Sequence, residues 1–272
     1  MKPITHLLFI SLACILVSSC QKPFTSPTGG VDPDAQNFIS ETGITDIVQK
    51  TAINDFVQQL KDSLLWDKFM AIYPMLGGTQ QSVKWNLKDP RDLDAAFRLT
   101  LYGTPDYSPT GVLFPTNSDY ADTHFVDNMF TFNDNSISYY SLTQNTVDGY
   151  DMGCIDNAPP YNEFSIYHSF DASDWFGYHG YAVTPSSTRG LFMFSSTSTD
   201  VKRYENGVNT ESRGSAPVSG FTNNPILIGY VVQALSGGHR ECALATIGRG
   251  LSDRQALAFY TIVQALETRL GR

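Results

Sequence analysis

Between residues 84 and 248 the chain keeps returning to the same short phrase. Runs of about five to eight strand-forming residues alternate with turn residues about every ten positions, the rhythm of a sandwich or barrel. The runs are Ala95–Tyr102, Gly111–Phe114, Ser136–Ser141, Asp148–Ile155, Phe164–Phe170, Trp175–Val183, Gly190–Ser195, Val201–Glu205, Val208–Ser212, Pro225–Val232 and Glu241–Ile247. No helix-length stretches intervene, so βαβ units are excluded. In "VKRYENGVNTE", Asn206-Gly207 is the preferred pair for a type I′ hairpin turn, where both residues need positive φ. These observations predict a mainly β fold of two antiparallel sheets.

Helical patterning brackets this region. Asp34 can cap a short helix over 35–41 that Gly43 stops, and Thr45 can cap a second. The second carries apolar residues at Ile53, Phe56, Val57, Leu60 and Leu64, and Trp66, Phe69, Met70 and Tyr73 continue the stripe until Pro74. This segment, 34–83, reads as a brace packed on the following domain or as a partner-binding element. The chain closes with a helix that Ser252 and Gln255 begin as a capping box. Its stripe is Ala256, Phe259, Tyr260, Val263, Leu266 and Leu270.

The first residues read as an export signal. "MKPITHLLFISLACILVSSC" has one cation, Lys2, and an apolar run too short to span a bilayer. Val17-Ser18-Ser19-Cys20 resembles the lipobox of bacterial lipoproteins. That resemblance implies removal of residues 1–19 and lipidation of Cys20, while the Pro, Gly, Ser and Thr of "QKPFTSPTGGVDP" make 20–33 a tether and the strand run with its closing helix makes 84–272 the globular domain. Gln21 after the cysteine resembles lipoproteins sent to the outer membrane. A plain secretory signal that contains a cysteine is the alternative. Once Cys14 and Cys20 are set aside, Cys154 and Cys242 remain, either as an extracytoplasmic disulfide or as two buried thiols.

Four further stretches resemble the laminin-G-like branch of the concanavalin A-like lectin/glucanase superfamily. They are "SPTGVLFPTNSDYADT" (108–123), "VKRYENGVNT" (201–210), "PILIGY" (225–230) and "ATIGRGLSDRQALAFY" (245–260). Their order matches that family over most of the mature chain, and the resemblance implies a jelly roll. "KWNLKDPRDLDAAFRLT" (84–100), with the helices before it, resembles structural or tail-associated proteins of phages of Bacteroidetes-type hosts.

The charge is -9, which disfavours phosphate backbones and so nucleic acid. Glycosidases of the resembled superfamily carry Glu-x-Asp-x-x-Glu on one strand. No post-signal glutamate here has an acidic residue two positions on. The nearest imitation, Asp92-x-Asp94, sits beside Pro90 in a turn. A non-enzymatic role is expected. No nucleophile elbow, phosphate loop or His-x-x-x-His spacing occurs among His124, His168, His179 and His239.

Two ligand expectations remain. Hard oxygen donors at Asp148, Asp151, Asp156 and Asn157 make Ca²⁺ possible. The ring-rich stretch "DWFGYHGY" could stack on a sugar. If it is a strand, Trp175, His179 and Tyr181 share one face and Phe176 and Tyr178 the other. The first three are the candidate carbohydrate-binding residues. The expected function is a lipid-anchored envelope protein with a lectin-like, carbohydrate-binding domain. The alternative is a structural or adhesion module that contacts protein.

Overall fold

The computed structural model describes residues 30–159, 162–168, 182–183, 187–214 and 220–272. Two helices open it, α1 (Pro33–Thr42) and α2 (Ile47–Asp62), followed by β1 (Phe69–Tyr73) and the single turn α3 (Gln80–Val83). Then come β2 (Thr100–Tyr102), β3 (Asp106–Ser108), β4 (Gly111–Leu113), β5 (Tyr120–Val126), β6 (Asn135–Ser141), β7 (Gly149–Ile155), β8 (Glu163–His168) and β9 (Ala182–Val183). The remainder is β10 (Gly190–Ser196), β11 (Asp200–Glu205), β12 (Val208–Gly214), β13 (Pro225–Ile228), β14 (Tyr230–Val231), β15 (Ser236–Gly237), β16 (Glu241–Gly248) and α4 (Asp253–Leu270).

The strands form a two-sheet jelly-roll sandwich. Sheet A runs β12-β11-β10-β6-β16-β4-β3, with β1 also paired to β16. Sheet B runs β2-β5-β13-β7-β8-β9. Pairing is antiparallel except between β8 and β9. Tyr139, Phe192, Phe194 and Ile247 of sheet A meet Phe125, Met152, Phe164 and Ile228 of sheet B in the inter-sheet core. A second core lies on the other side of sheet A. There Tyr140, Leu191, Met193 and Leu244 pack with Phe38 of α1, Phe56 and Leu60 of α2, and Phe259 and Val263 of α4. The molecule is therefore helix layer, sheet A, sheet B. Every residue of β6 and β10 is buried, while β5 alternates between buried and half-buried positions.

Local chemistry explains where elements begin and stop. The cap of α1 is Asp32, not Asp34, because Pro33 occupies the first helical position, where a missing N–H costs nothing. Asp32 accepts from Asp34 N at 2.9 Å. Asp46, not Thr45, caps α2, accepting from Gln49 N at 2.8 Å. Gly43 stops α1 in the left-handed region as expected. The apolar stripe does not remain helical to Pro74. Leu64 takes φ 57, and Phe69–Tyr73 becomes β1, in register with Gly248 to Ala245. Pairing with a distant strand overrides the helical period. The Ser252–Gln255 capping box is present, and α4 packs against α2.

The Asn206-Gly207 turn has φ 51 and 76, with Glu205 opposite Val208. The run from Ala95 shortens to β2, because Asp94–Ala96 form a 3-10 turn and Phe97 takes φ 59. Cys154 and Cys242 are both free, which corrects the disulfide alternative. Cys154 lies on β7 of sheet B and Cys242 on β16 of sheet A. Burial pushes both thiols well up, as for small hydrophobes.

Candidate functional site

The centre of sheet A, β6 and β10, is covered on both faces, and the outer face of sheet B at β2 and β5 carries a cluster of aromatic rings. Register builds one feature on that outer face. Tyr102 of β2 lies opposite Tyr120 of β5. The next row inward, Ala121–Ile228–Met152–Ile166, crosses four strands. On the near side of that row β7 and β8 bring Tyr150 opposite Tyr167. Four tyrosines thus share a row, with glycine at Gly229 in the β13 gap and Tyr230 beside it. Tyr102 and Tyr120 stack at 4.6 Å with ring planes 13° apart. Tyr120 and Tyr230 are 6.3 Å apart, and Tyr150 and Tyr167 4.6 Å. Tyr102 is 42% exposed.

Polar groups flank the stacked pair. Asp122 and Thr100 are cross-strand neighbours one step along. Asp122 Oδ1 accepts from His124 N at 2.7 Å, and Thr100 Oγ1 lies 2.7 Å from His124 Nε2. Burial raises the Tyr120 hydroxyl, reinforced by Tyr102 and Asp122, so it remains a donor. Buried Asp119 fixes the two turns next to the pair. It accepts from Thr104 N at 2.6 Å and from Thr116 N at 2.8 Å. Burial alone would raise its carboxyl, but the bonds from Thr116 and Thr104 hold it below the usual range. Gly103 follows Tyr102 at φ +76, and a Cβ there would stand 2.2 Å from Asp119 Oδ1. Only glycine fits the turn.

Beneath the Tyr150 end lies a charged cluster inside the sandwich. A bulge between Tyr150 and Met152 turns Asp151 inward. Its Oδ1 accepts from Arg240 Nη1 at 2.9 Å, and its Oδ2 lies 2.8 Å from His168 Nδ1. All three side chains are at most 2% exposed. Burial opposes the charge on Asp151, but Arg240 and His168 outweigh it and hold the carboxyl below its usual range. Tyr139 OH donates to Arg240 O at 2.8 Å, which ties the cluster to sheet A.

The candidates read from sequence fall as follows. Trp175, His179 and Tyr181, and also Cys20, lie outside the described residues. The proposed Ca²⁺ donors do not converge. Asp151 and Asp156 are five residues apart on one extended strand, about 16 Å. Asp151 is committed to Arg240 and His168, and Asp156 to Asn162 and Asn224. Asp148 is half-buried and Asn157 exposed. Among the described residues no group of three or more His, Cys, Asp or Glu side chains is placed to hold a metal ion. Asp92 pairs with Lys84 at 2.7 Å and Asp94 with Arg98 at 2.8 Å. Tyr102, Tyr120, His168 and Arg240 were not among the sequence candidates. The alternation in "YADTHFV" carried the signal for Tyr120.

No sequence family matches the chain, and no curated protein sequence matches it. Among solved structures it is similar to domain 4 of AbnA, a GH43 extracellular arabinanase from Geobacillus stearothermophilus, in complex with arabinotriose. Identity there is 16%, TM-score 0.44, with 71% of this chain and 98% of that chain covered. It is also similar to Trypanosoma rangeli sialidase in complex with sialic acid (8% identity, TM-score 0.49, 79% and 39% covered). A third is the receptor binding domain of botulinum neurotoxin C/D mosaic serotype (12%, 0.44, 72% and 51%). The chain thus spans about half of the toxin domain and two fifths of the sialidase. Similarity this distant does not carry ligands or sites across.

Proposed function

We propose that the sandwich is a carbohydrate-binding module, lectin-like in kind, that uses the outer face of sheet B. The stacked pair of exposed Tyr102 and half-buried Tyr120 supports this reading. A sugar ring presents C–H groups to an aromatic face and hydroxyls around its rim. Here the face stands beside Asp122, Thr100 and the Tyr120 hydroxyl, which accept and donate. Domains bound to arabinotriose and sialic acid share the sandwich architecture only distantly, so the tyrosine pair carries the proposal. Asp92 and Asp94, engaged by Lys84 and Arg98, favour a binder over a hydrolase. Anchoring through Cys20 to the outer membrane is part of the proposal, and intact-mass detection of an acylated Cys20 tests it.

A glycan array decides the central point. Wild-type protein retains a defined set of glycans, and Tyr102→Ala with Tyr120→Ala loses it. Equal retention by the double variant, or none by wild type, removes the reading. An adhesion role toward protein is favoured by a different surface. Met129 is 52% and Phe132 38% exposed, with Phe221 4.5 Å from Phe132, at the far end of β5. Partner capture that persists in excess sugar and is lost in Phe132→Ser supports that role.

A further inference from the structure

The sign of the charge around the stacked tyrosines narrows what they can hold. On the outer face of β2 and β5, Thr100 lies opposite Asp122 and Tyr102 opposite Tyr120. Asp122 is thus the diagonal neighbour of Tyr102, about 7 Å away across the strands, within reach of one sugar ring and its substituents. β2 is the outermost strand of sheet B, so no further strand stands beyond the exposed Tyr102 ring.

Carboxylates flank the rings on two sides. Asp122 stands along the strand, with its side chain 19% exposed. Its Oδ1 accepts from His124 N at 2.7 Å. Asp119 stands in the adjoining turns, where the bonds from Thr116 and Thr104 favour its ionised form. Among the described residues neither carboxylate has a lysine or arginine within 4 Å. In the segment before β2, Arg98 is held by Asp94 at 2.8 Å and Asp92 at 3.3 Å, and Lys84 by Asp92 at 2.7 Å. The basic group nearest Asp122 is the His124 ring, its Nδ1 4.0 Å away. That ring is itself shared, since its Nε2 lies 2.7 Å from Thr100 Oγ1 and 3.5 Å from Asp94 Oδ1. On the other side, His239 attracts Asp119. Aromatic faces attract cations, and carboxylates beside them act in the same direction. An anionic ligand would meet repulsion from both aspartates.

We propose that the ligand of this face is a cationic sugar, a hexosamine unit with a free amine. Its ring packs on Tyr102, and its ammonium group donates to Asp122. The inference rests on the carbohydrate-binding reading above and adds the charge of the sugar. N-acetylation removes that charge and leaves the ring, and a sugar carboxylate reverses it, so the three kinds of sugar separate the two claims.

The test uses the full chain and titration calorimetry at mildly acidic pH, where the sugar amine is protonated and an aspartate is not. The probes are a glucosamine oligomer, its N-acetylated counterpart of equal length, and sialyllactose. The glucosamine oligomer is expected to bind about threefold to tenfold more tightly than the N-acetylated one, the worth of one half-exposed ion pair with a cation–π contact. High salt is expected to shrink that advantage. Sialyllactose is expected not to bind. Asp122→Asn keeps an acceptor for His124 N and is expected to erase the advantage while the N-acetylated oligomer still binds. Where that variant does not fold, the wild-type preference and its salt dependence decide. Equal affinity for the two oligomers, or tighter binding of sialyllactose, overturns the inference and leaves the tyrosine face as a sugar site. Displacement of the oligomer by a lysine-rich peptide at equal amine concentration also overturns it, because the ammonium group alone would then be the ligand. Absence of binding by every sugar overturns this inference and the reading on which it rests.

Discussion

Sheet A and sheet B are built from the same strand-forming residues and do opposite work. Sheet A carries helices on one face and sheet B on the other, so β6 and β10 have no solvent-facing positions. Of its small polar side chains, Ser138 and Thr246 bond each other at 2.6 Å, while Ser136 and Ser195 donate to the carbonyls of Arg249 and Leu251. Sheet B is buried on both faces along β7 and β8, and its outer face opens at β2 and β5. There β5 can present Tyr120, Asp122 and His124 without loss of core. Stability is concentrated in the first sheet, and the second has room for function.

The largest expected effect tests the cluster that joins the two. Arg240→Met leaves Asp151 buried without its cation and is expected to cost about 3–5 kcal/mol in urea unfolding. A loss below about 1 kcal/mol would remove the cluster from any structural role. Leu244→Ala, between sheet A and the helices, is expected to cost about 2–5 kcal/mol. The Asn206→Ala change forces alanine into the left-handed region and removes the bond to Leu191 N, with an expected cost of about 1–2 kcal/mol.

Acid acts through Asp119. Its folded carboxyl lies below the usual range, so the folded state resists protonation there. Its stabilisation is present above the unfolded value of about 4 and is lost as pH falls through the folded value. Asp119→Asn is expected to flatten that acid limb in thermal scans from neutral to acidic pH. Tyr102→Ala is expected to shift stability by no more than about 0.5 kcal/mol while sugar binding disappears. A large stability loss there would mean that sheet B's outer face is structural after all.

The chain's local signals predicted its local structures. Asn206-Gly207, Gly43 and the Ser252–Gln255 box act within a few residues and read correctly. β1 was not legible because Phe69–Tyr73 extends a helical stripe, and what makes it a strand is β16, far along the chain. The tyrosine row depends on register across β2, β5, β13, β7 and β8, including a bulge that no short window displays. Asp151, His168 and Arg240 are ordinary residues in sequence, and only the bulge at Asp151 and the strand end at His168 bring them together. β5 is a different case. Its alternation was visible, but a polar core-facing Thr123 blurred it, and that hydroxyl is satisfied by Ile226 O at 2.7 Å.

The pairing of β1 with β16 has a kinetic consequence. Residues from the first third of the chain obtain their sheet partner, and α2 its helical neighbour α4, only from the last 32 residues. Loop closure over such separations is slow, since its entropy is lost before any contact is gained. A chain emerging from its amino end therefore holds an incomplete sheet A, with the β1 edge unpaired, until its final segment arrives. During that interval an unpaired β1 edge is open to pairing with other chains.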